Sequence, residues 1–354
     1  MTPSLNMGLE KEKNKEIAIY SLTSKGAELG KKIKEAFDAD LYLPERLAEK
    51  FGAYGFKRLS HLIGCVFERY KSHIFITASG IAVRSIAPHL KSKDKDPAVV
   101  VLDHKGKYCI SLLSGHLGGA NLLSKKIASI TGGIPVITTA TDTEGLPSVE
   151  VIAKEKEMEI VNLEALKKIN MAILEGETIQ IFDPEDRLNI SGIDFVKIED
   201  EKEWKKDMPG IWVYWKETSI SENKLILNPK CLVIGIGCNS GTEASEILDM
   251  IKTTFKKYKL SLKSIKAVAS VEEKKKEKGL ISLADSIKTP LLFFSSEDLR
   301  TIKVPHPSEC VEKYMGTKSV CEAAAIIGSK MGRLIVPKTK SKNVTIAIAV
   351  EYSR

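Results

Sequence analysis

The sequence predicts an α/β protein: two three-layer α/β domains with mixed sheets, joined by a smaller, irregular α+β middle module. Three observations predict it. Strand-length apolar runs alternate with helical stretches through residues 1–142 and again through 229–354, the pattern of sheets covered by helices. The runs 98–103 and 108–113 are joined by the polar turn His104-Lys105-Gly106-Lys107, a hairpin signal that makes the first sheet mixed. Composition changes after Asp142 and again at Pro229, which sets off residues 143–228 as a charge-dense module.

Each element follows from local sequence. Residues 1–15 are a ragged polar start. Residues 16–22 alternate into a strand, and Ser24-Lys25-Gly26 opens a helix through about residue 37. Short strands at 40–43 and 73–77 come next, and Ala78-Ser79-Gly80 leads into a helix at 81–86. After the hairpin stands Ser114-Gly115-His116-Leu117-Gly118-Gly119. The helix behind it, 120–130, places apolar residues at 120, 122, 123, 127 and 130. Gly132-Gly133 ends it before a strand at 134–138. In the middle module, 162–174 reads as a helix and 179–182 and 210–215 as strands. Trp204, Trp212 and Trp215 all fall there and read as anchors of its small core. The last domain reads as a strand at 231–237, a helix at 243–258, a strand at 265–270 and a helix at 277–286. A strand at 291–294, a short helix at 308–314, an Ala-rich helix at 319–330 and strands at 333–337 and 344–351 complete it.

Composition bounds the function. The chain has 354 residues, 43% of them hydrophobic, enough to bury several cores. No apolar run approaches the ~20 residues of a membrane helix, and residues 1–15 lack a signal-peptide core, so a cytoplasmic protein without a membrane partner is expected. The net charge of +8 comes mostly from lysines in mixed runs such as 272–278, the pattern of solvated helix faces. No basic stripe is interleaved with aromatics, so no nucleic-acid partner is expected, and the balance suits an anionic small molecule. The cysteines at 65, 109, 231, 238, 310 and 321 form no Cys-x-x-Cys and read as reduced thiols. The six histidines are scattered, so no metal centre is expected.

The densest chemical signal lies between Thr77 and Asp142. Each of its motifs follows a strand and carries small residues, so three loops, at 78–84, 114–121 and 138–142, are expected to converge on one crevice. Glycines at a helix start expose N–H groups, which makes Ser114, Gly115, Gly118, Gly119 and Asn121 an anion-binding candidate. His116 is then a base or proton shuttle; equally, the loop is a tight structural turn with His116 merely hydrogen-bonded. It is neither a nucleotide fingerprint nor a nucleophile elbow. Arg84 carries a fork suited to carboxylates, although a surface ion pair is the commoner fate of such a residue. Thr138, Thr139 and Thr141 can donate hydroxyl hydrogen bonds to a ligand or cap local turns, and Asp142 beside them is a further substrate-binding candidate. Gly235-Ile236-Gly237-Cys238 is half of a dinucleotide loop at most, and Cys238 reads as a small residue at a strand end.

Taken together these motifs closely resemble the CbiG family, the cobalt-precorrin-5A hydrolases of anaerobic cobalamin synthesis. Gly-Ile-Ala-Val-Arg-x-Ile-Ala-Pro (80–88), Ser-Leu-Leu-Ser-Gly-His-x-Gly-Gly-Ala-Asn (111–121) and Pro-Val-Ile-Thr-Thr-Ala-Thr-Asp (135–142) stand in the family's order. The C-terminal part resembles the matching CbiG/CobE domain through Gly235 to Cys238, Ala269-Ser270-Val271 with Lys274 and Glu277, Pro307-Ser308, and Ser319 to Ala324. Lys338 and residues 345–347 extend the match, and Asn239-Ser240 departs from it where the family often carries a basic residue. The resemblance implies opening of the lactone between the ring-A acetate and C20 of a cobalt-containing macrocycle. Acetaldehyde is then lost, giving cobalt-precorrin-5B. It implies a corrinoid partner bearing several carboxylates, and no cofactor of the protein's own, since cobalt arrives with the substrate. It further implies substrate-binding roles for Gly237, Cys238, Lys274, Glu277, Ser308 and Glu322. Against that reaction, His116 is the candidate for proton transfer, the N–H groups near Gly118-Gly119 for an oxyanion, and Arg84 for substrate carboxylates. A corrinoid-binding or delivery protein without catalysis is the alternative reading, and a nucleotide-dependent enzyme a more distant one. The oligomeric state is not legible.

Overall fold

The computed structural model describes residues 16–92, 95–306 and 319–353. It divides into two compact units, Met1–Ser148 and Val149–Arg354. Among the described residues three sheets form, one in the first unit and two in the second.

The first unit runs β1 (Ile17–Ser21), α1 (Ser24–Phe37), β2 (Asp40–Pro44), α2 (Glu45–Phe51), β3 (Tyr54–Phe56), α3 (Leu59–Val66), β4 (Ser72–Ile76) and α4 (Ser79–Ile86). It continues with β5 (Ala98–Leu102), β6 (Tyr108–Leu113), α5 (Ala120–Thr131), β7 (Ile134–Val136) and α6 (Ala140–Thr143). The strand order is β3-β2-β1-β4-β5-β6-β7. Strands β1 to β5 are parallel, β6 runs antiparallel to β5, and β7 follows β6 in parallel. The hairpin makes the sheet mixed, as its turn predicts. Alternation along the strands builds two cores. Ile19, Leu41, Ile74, Val100 and Leu102 pack with Ile33 of α1 and Ile127 of α5, while Tyr20, Tyr42, Phe75 and Val101 pack with Ile63 of α3 and Ile86 of α4. Helices therefore cover both faces. The helix α1 starts where the Thr23 hydroxyl accepts from the Gly26 N–H. The segment α2-β3-α3 is unread in the sequence because its elements are too short to show a period.

The second unit opens with α7 (Val149–Glu155), β8 (Met158–Ile160), α8 (Leu163–Leu174), β9 (Ile179–Phe182), β10 (Phe195–Ile198), β11 (Gly210–Val213) and β12 (Lys224–Pro229). The charge-dense stretch thus carries a five-stranded sheet in the order β10-β9-β11-β12-β8, more regular than its composition suggests. Trp212 stacks on Phe182 at 4.1 Å between ring centroids and meets Trp204 edge-on. Trp215 departs from expectation: it joins the core of the next module, beside Leu232 and Phe255, and donates its Nε1–H to Glu185 at 3.0 Å.

That module follows two residues after Pro229: β13 (Leu232–Cys238), α9 (Ala244–Tyr258), β14 (Ile265–Val271), α10 (Lys278–Ser286), β15 (Leu291–Phe294), α11 (Ser296–Arg300), α12 (Val320–Gly328), β16 (Arg333–Lys340) and β17 (Val344–Val350). Its sheet has the order β15-β14-β13-β17-β16, with β17 antiparallel to both neighbours. Helices α9 and α10 pack on one face, and α11 and α12 on the other. The expected short helix at 308–314 lies outside the described residues, as does Ser308.

Candidate functional site

Strand direction decides what converges in the first unit. The loop at 78–84 follows β4 and opens at the carboxyl edge of β1, β4 and β5. The strands β6 and β7 run the other way, with Leu113 opposite Val99, so their loops at 114–121 and 138–142 emerge at the amino edge of β5. There the Ser114 hydroxyl donates to the Asp96 carbonyl at 2.9 Å. The expected single crevice is therefore two sites at opposite edges of one sheet, and Arg84 is not beside His116. Arg84 is exposed and donates to the Gly80 carbonyl of its own helix at 3.3 Å.

The amino edge holds a tight polar network. His116 Nε2 donates to Asp142 Oδ2 at 3.0 Å, with Thr141 Oγ1 3.3 Å from the same nitrogen. Asn121 Nδ2 and Thr139 Oγ1 each donate to that carboxylate oxygen at 2.9 Å, and Lys125 Nζ reaches Oδ1 at 3.1 Å. Asn121 Oδ1 accepts from Ser111 Oγ at 2.6 Å, which fixes the amide's orientation. Asp142 is partly desolvated, which opposes its charge, but the hydrogen bonds from His116, Thr139 and Lys125 and the lysine charge outweigh this and lower its pKa to about 2. An ionised carboxylate facing Nε2 fixes the tautomer and stabilises the imidazolium, the arrangement a proton-carrying histidine needs. The His116 side chain is 8% exposed. Thr138 is exposed and makes no side-chain hydrogen bond among the described residues.

The glycines of this loop serve the loop itself. A Cβ on Gly115 would lie 2.7 Å from Asn121 Oδ1, and one on Gly118 2.4 Å from the Ser114 Cβ. The close approach their sequence suggests is to the chain's own atoms. The N–H groups of Ala120 and Asn121 donate to the Ser114 and Gly115 carbonyls, so the first turn of α5 is closed. Gly118 and Gly119 donate to no other described group. Gly119, at φ +91°, makes the bend into α5.

At the carboxyl edge, a cleft of about 710 Å³ lies between the loops after β1 and β4, where the strand order reverses. Leu22, Ile76, Val101 and Ile110 give it an apolar floor, with Thr23, Ser79 and His104 at its sides.

The second unit carries another cleft, of about 530 Å³, at the carboxyl ends of β13 and β14. Gly237, Cys238 and Lys274 line it. Burial raises the Cys238 thiol pKa despite the nearby Lys274 charge, so it is a neutral thiol. Gly235, read as half of a nucleotide loop, instead lets α12 pack on β13: a Cβ there would strike the Cys321 carbonyl. Glu277 is turned to Lys274 at 3.3 Å and to the Gly241 N–H at 2.9 Å, which help lower its pKa. Glu322 is fully buried and is not among the described residues that line either cleft. It accepts from the His306 N–H and Nδ1 and from the Lys338 N–H.

Profiles of one family match most of the chain: cobalamin synthesis G N-terminal over residues 61–142, cobalamin biosynthesis central region over 147–229, and cobalamin synthesis G C-terminus over 232–349. The chain is 32% identical over 365 residues to a cobalt-precorrin-5A hydrolase of Priestia megaterium, covering 94% of each. The chain belongs to the CbiG family. It is also 32% identical to a cobalt-precorrin-5A hydrolase of Salmonella typhimurium, over 96% of this chain and 99% of that one. A shorter likeness, 29% over 121 residues, links it to protein CobE of a Sinorhizobium species and covers 79% of that protein. As a CbiG protein it has a role in cobalamin biosynthesis.

Within this CbiG chain, sequence reasoning overlooked Ser111 and Lys125 in the Asp142 network, and Lys340 and Lys342 at the second cleft. Signals existed. Lys125 stands four residues after Asn121 on one helix face, and Lys338, Lys340 and Lys342 alternate with period two.

Proposed function

We propose that this CbiG protein hydrolyses the ring-A lactone of cobalt-precorrin-5A and releases acetaldehyde to give cobalt-precorrin-5B. The observation that carries this reading is the His116–Asp142 pair inside the family's own motif. Water adds to the lactone carbonyl while the His116 imidazole takes its proton, and Asp142 stabilises the imidazolium so formed. In this reading the N–H groups of Gly118 and Gly119 hold the developing oxyanion. The acyl C–O bond breaks, the acetate side chain stays on ring A as a carboxylate, and the departing C20 oxygen takes the proton as a hydroxyl. Loss of that hydroxyl proton forms the carbonyl of acetaldehyde, and the C–C electron pair returns to the macrocycle. The cobalt belongs to the substrate, and no cofactor of the protein's own enters these steps.

The likeness to CobE supports a second reading, a corrinoid carrier without catalysis. Single-turnover acetaldehyde release from cobalt-precorrin-5A separates the two. Under the hydrolase reading, His116→Ala lowers the rate by ~10²–10⁴-fold with corrinoid binding kept. His116→Gln does not rescue it, because an amide hydrogen-bonds but does not cycle a proton. A near-wild-type rate for the Gln variant removes His116 from the mechanism, and no acetaldehyde from the wild-type protein removes the hydrolase reading altogether.

A further inference from the structure

We infer that Lys338, Lys340 and Lys342, on the hairpin formed by β16 and β17, bind the peripheral carboxylates of a tetrapyrrole in the cleft of the second unit. The choice of tetrapyrrole rests on the proposed function; the choice of carboxylate rests on the cleft.

The hairpin tip reaches the cleft because β17 runs antiparallel to β13, with Val344 opposite Cys238. The ends of the hairpin and the loop after β13 thus share one rim, joined by the Asn239–Asn343 side-chain hydrogen bond at 3.1 Å. Along β16 the pairing slips by one residue between Val336 and Thr339, while β17 advances only from Ile348 to Ile346. Such a bulge frees a backbone N–H from the ladder and turns a side chain. The freed N–H is that of Lys338, and the fully buried Glu322 carboxylate accepts it at 2.9 Å. A buried carboxylate is costly unless its oxygens are satisfied, and here three donors from two segments satisfy it. A dedicated buried acceptor therefore holds the bulge that brings Lys338 to the cleft wall.

The charges on that wall are open. Among the described residues, Lys338, Lys340 and Lys342 have no acidic partner, while Lys274 across the cleft is already paired with Glu277. Alternate residues of a strand stand ~7 Å apart, so the cations are spread rather than focused. That spacing suits several carboxylates held on a rigid frame. A single phosphate calls for convergent donors, an Arg fork or a glycine nest, and none of these lines the cleft among the described residues. Val271, Val320 and Val344 supply an apolar floor beneath the lysines. A volume of about 530 Å³ takes the edge of a macrocycle with its side chains.

The test titrates the full-length protein with cobalt-precorrin-5A and with uroporphyrin, a tetrapyrrole bearing acetate and propionate groups, by fluorescence quenching. The methyl ester of uroporphyrin is the uncharged control. Triple replacement of Lys338, Lys340 and Lys342 by Ala should weaken binding of both acids by at least about tenfold. Replacement of all three by Arg should hold affinity within about threefold, and the ester should bind poorly to every form. Wild-type affinity in the Ala variant, or equal binding of acid and ester, overturns the proposal. Binding that depends on the lysines in a protein that releases no acetaldehyde upholds it while ending the hydrolase reading. Lysine-independent binding with normal acetaldehyde release does the reverse.

Discussion

Around Asp142 every described charge meets a partner within the protein, whereas Lys338, Lys340 and Lys342 have no acidic partner among the described residues. At the first place a single carboxylate gathers His116, Asn121, Thr139 and Lys125. Its charge is consumed in orienting a ring. At the second, a buried carboxylate, Glu322, holds backbone and leaves the lysine charges outside. A charge already paired inside positions its neighbours, whereas an unpaired charge at a cleft recruits a ligand of opposite sign. Under the proposed function, the difference gives the histidine network to chemistry and the lysine rim to binding.

The sharpest way to break this comparison is Asp142→Asn. An amide keeps an acceptor for Asn121 and Thr139 but loses the charge that stabilises the His116 imidazolium. The expected result is a ~10²-fold fall in the single-turnover rate of acetaldehyde formation, with corrinoid affinity kept. Loss of affinity with the rate preserved would show that Asp142 belongs with the binding charges, and the division would fall.

A smaller effect is expected on stability. The folded pKa of Asp142, about 2, lies below the ordinary carboxylate value, so its ionised form favours the folded state. That contribution is complete above about pH 4 and disappears as pH falls through about 2. With solvent screening of this partly exposed group and its exposed lysine partner it amounts to about 1 kcal/mol. Denaturant unfolding of wild type and Asp142→Asn at pH 6 and near pH 2 measures it: the gap between the two proteins should close by that amount in acid. A gap that stays constant would mean the network does not hold the carboxylate ionised.

These distinctions were only partly legible beforehand, for physical reasons. Strong periods gave α1, α5, α9 and most strands to within a residue or two, because burial on one face dictates residue type. The hairpin turn at 104–107 is legible in the sequence, but the edge from which later loops emerge is not: reversing β6 sends the loops after β6 and β7 to the opposite edge from the loop after β4. Glycine marks a close approach but does not name the approaching atom. At Gly118 it is Ser114, at Gly235 the Cys321 carbonyl. Trp215 lies in the same strand-like run as Trp212, and no local pattern says that the chain passes to another core between them. His116 and Asp142 were both named, but 26 residues of separation hide a hydrogen bond that the parallel pairing of β6 and β7 creates.

Arg84 tests the comparison from the side where the smallest effect is expected. The sequence groups it with His116, since both follow strands and both suit a carboxylate. The sheet separates them: β4 ends at one edge, and β6 and β7 end at the other. Arg84 also differs from both polar regions in how its charge is held. It is exposed, lines neither described cleft, and bonds only a carbonyl of its own helix. Such a charge neither orients a catalytic group nor stands at the wall of a binding cleft. Arg84→Ala should therefore change acetaldehyde formation and corrinoid affinity by no more than about twofold, the range of an exposed charge. A tenfold loss of affinity, recovered only in part by Arg84→Lys, would show a carboxylate gripped by its fork. The macrocycle would then sit at the carboxyl edge beside the apolar cleft, and the proton carrier would have to be sought there, among Thr23, Ser79 and His104, instead of at His116.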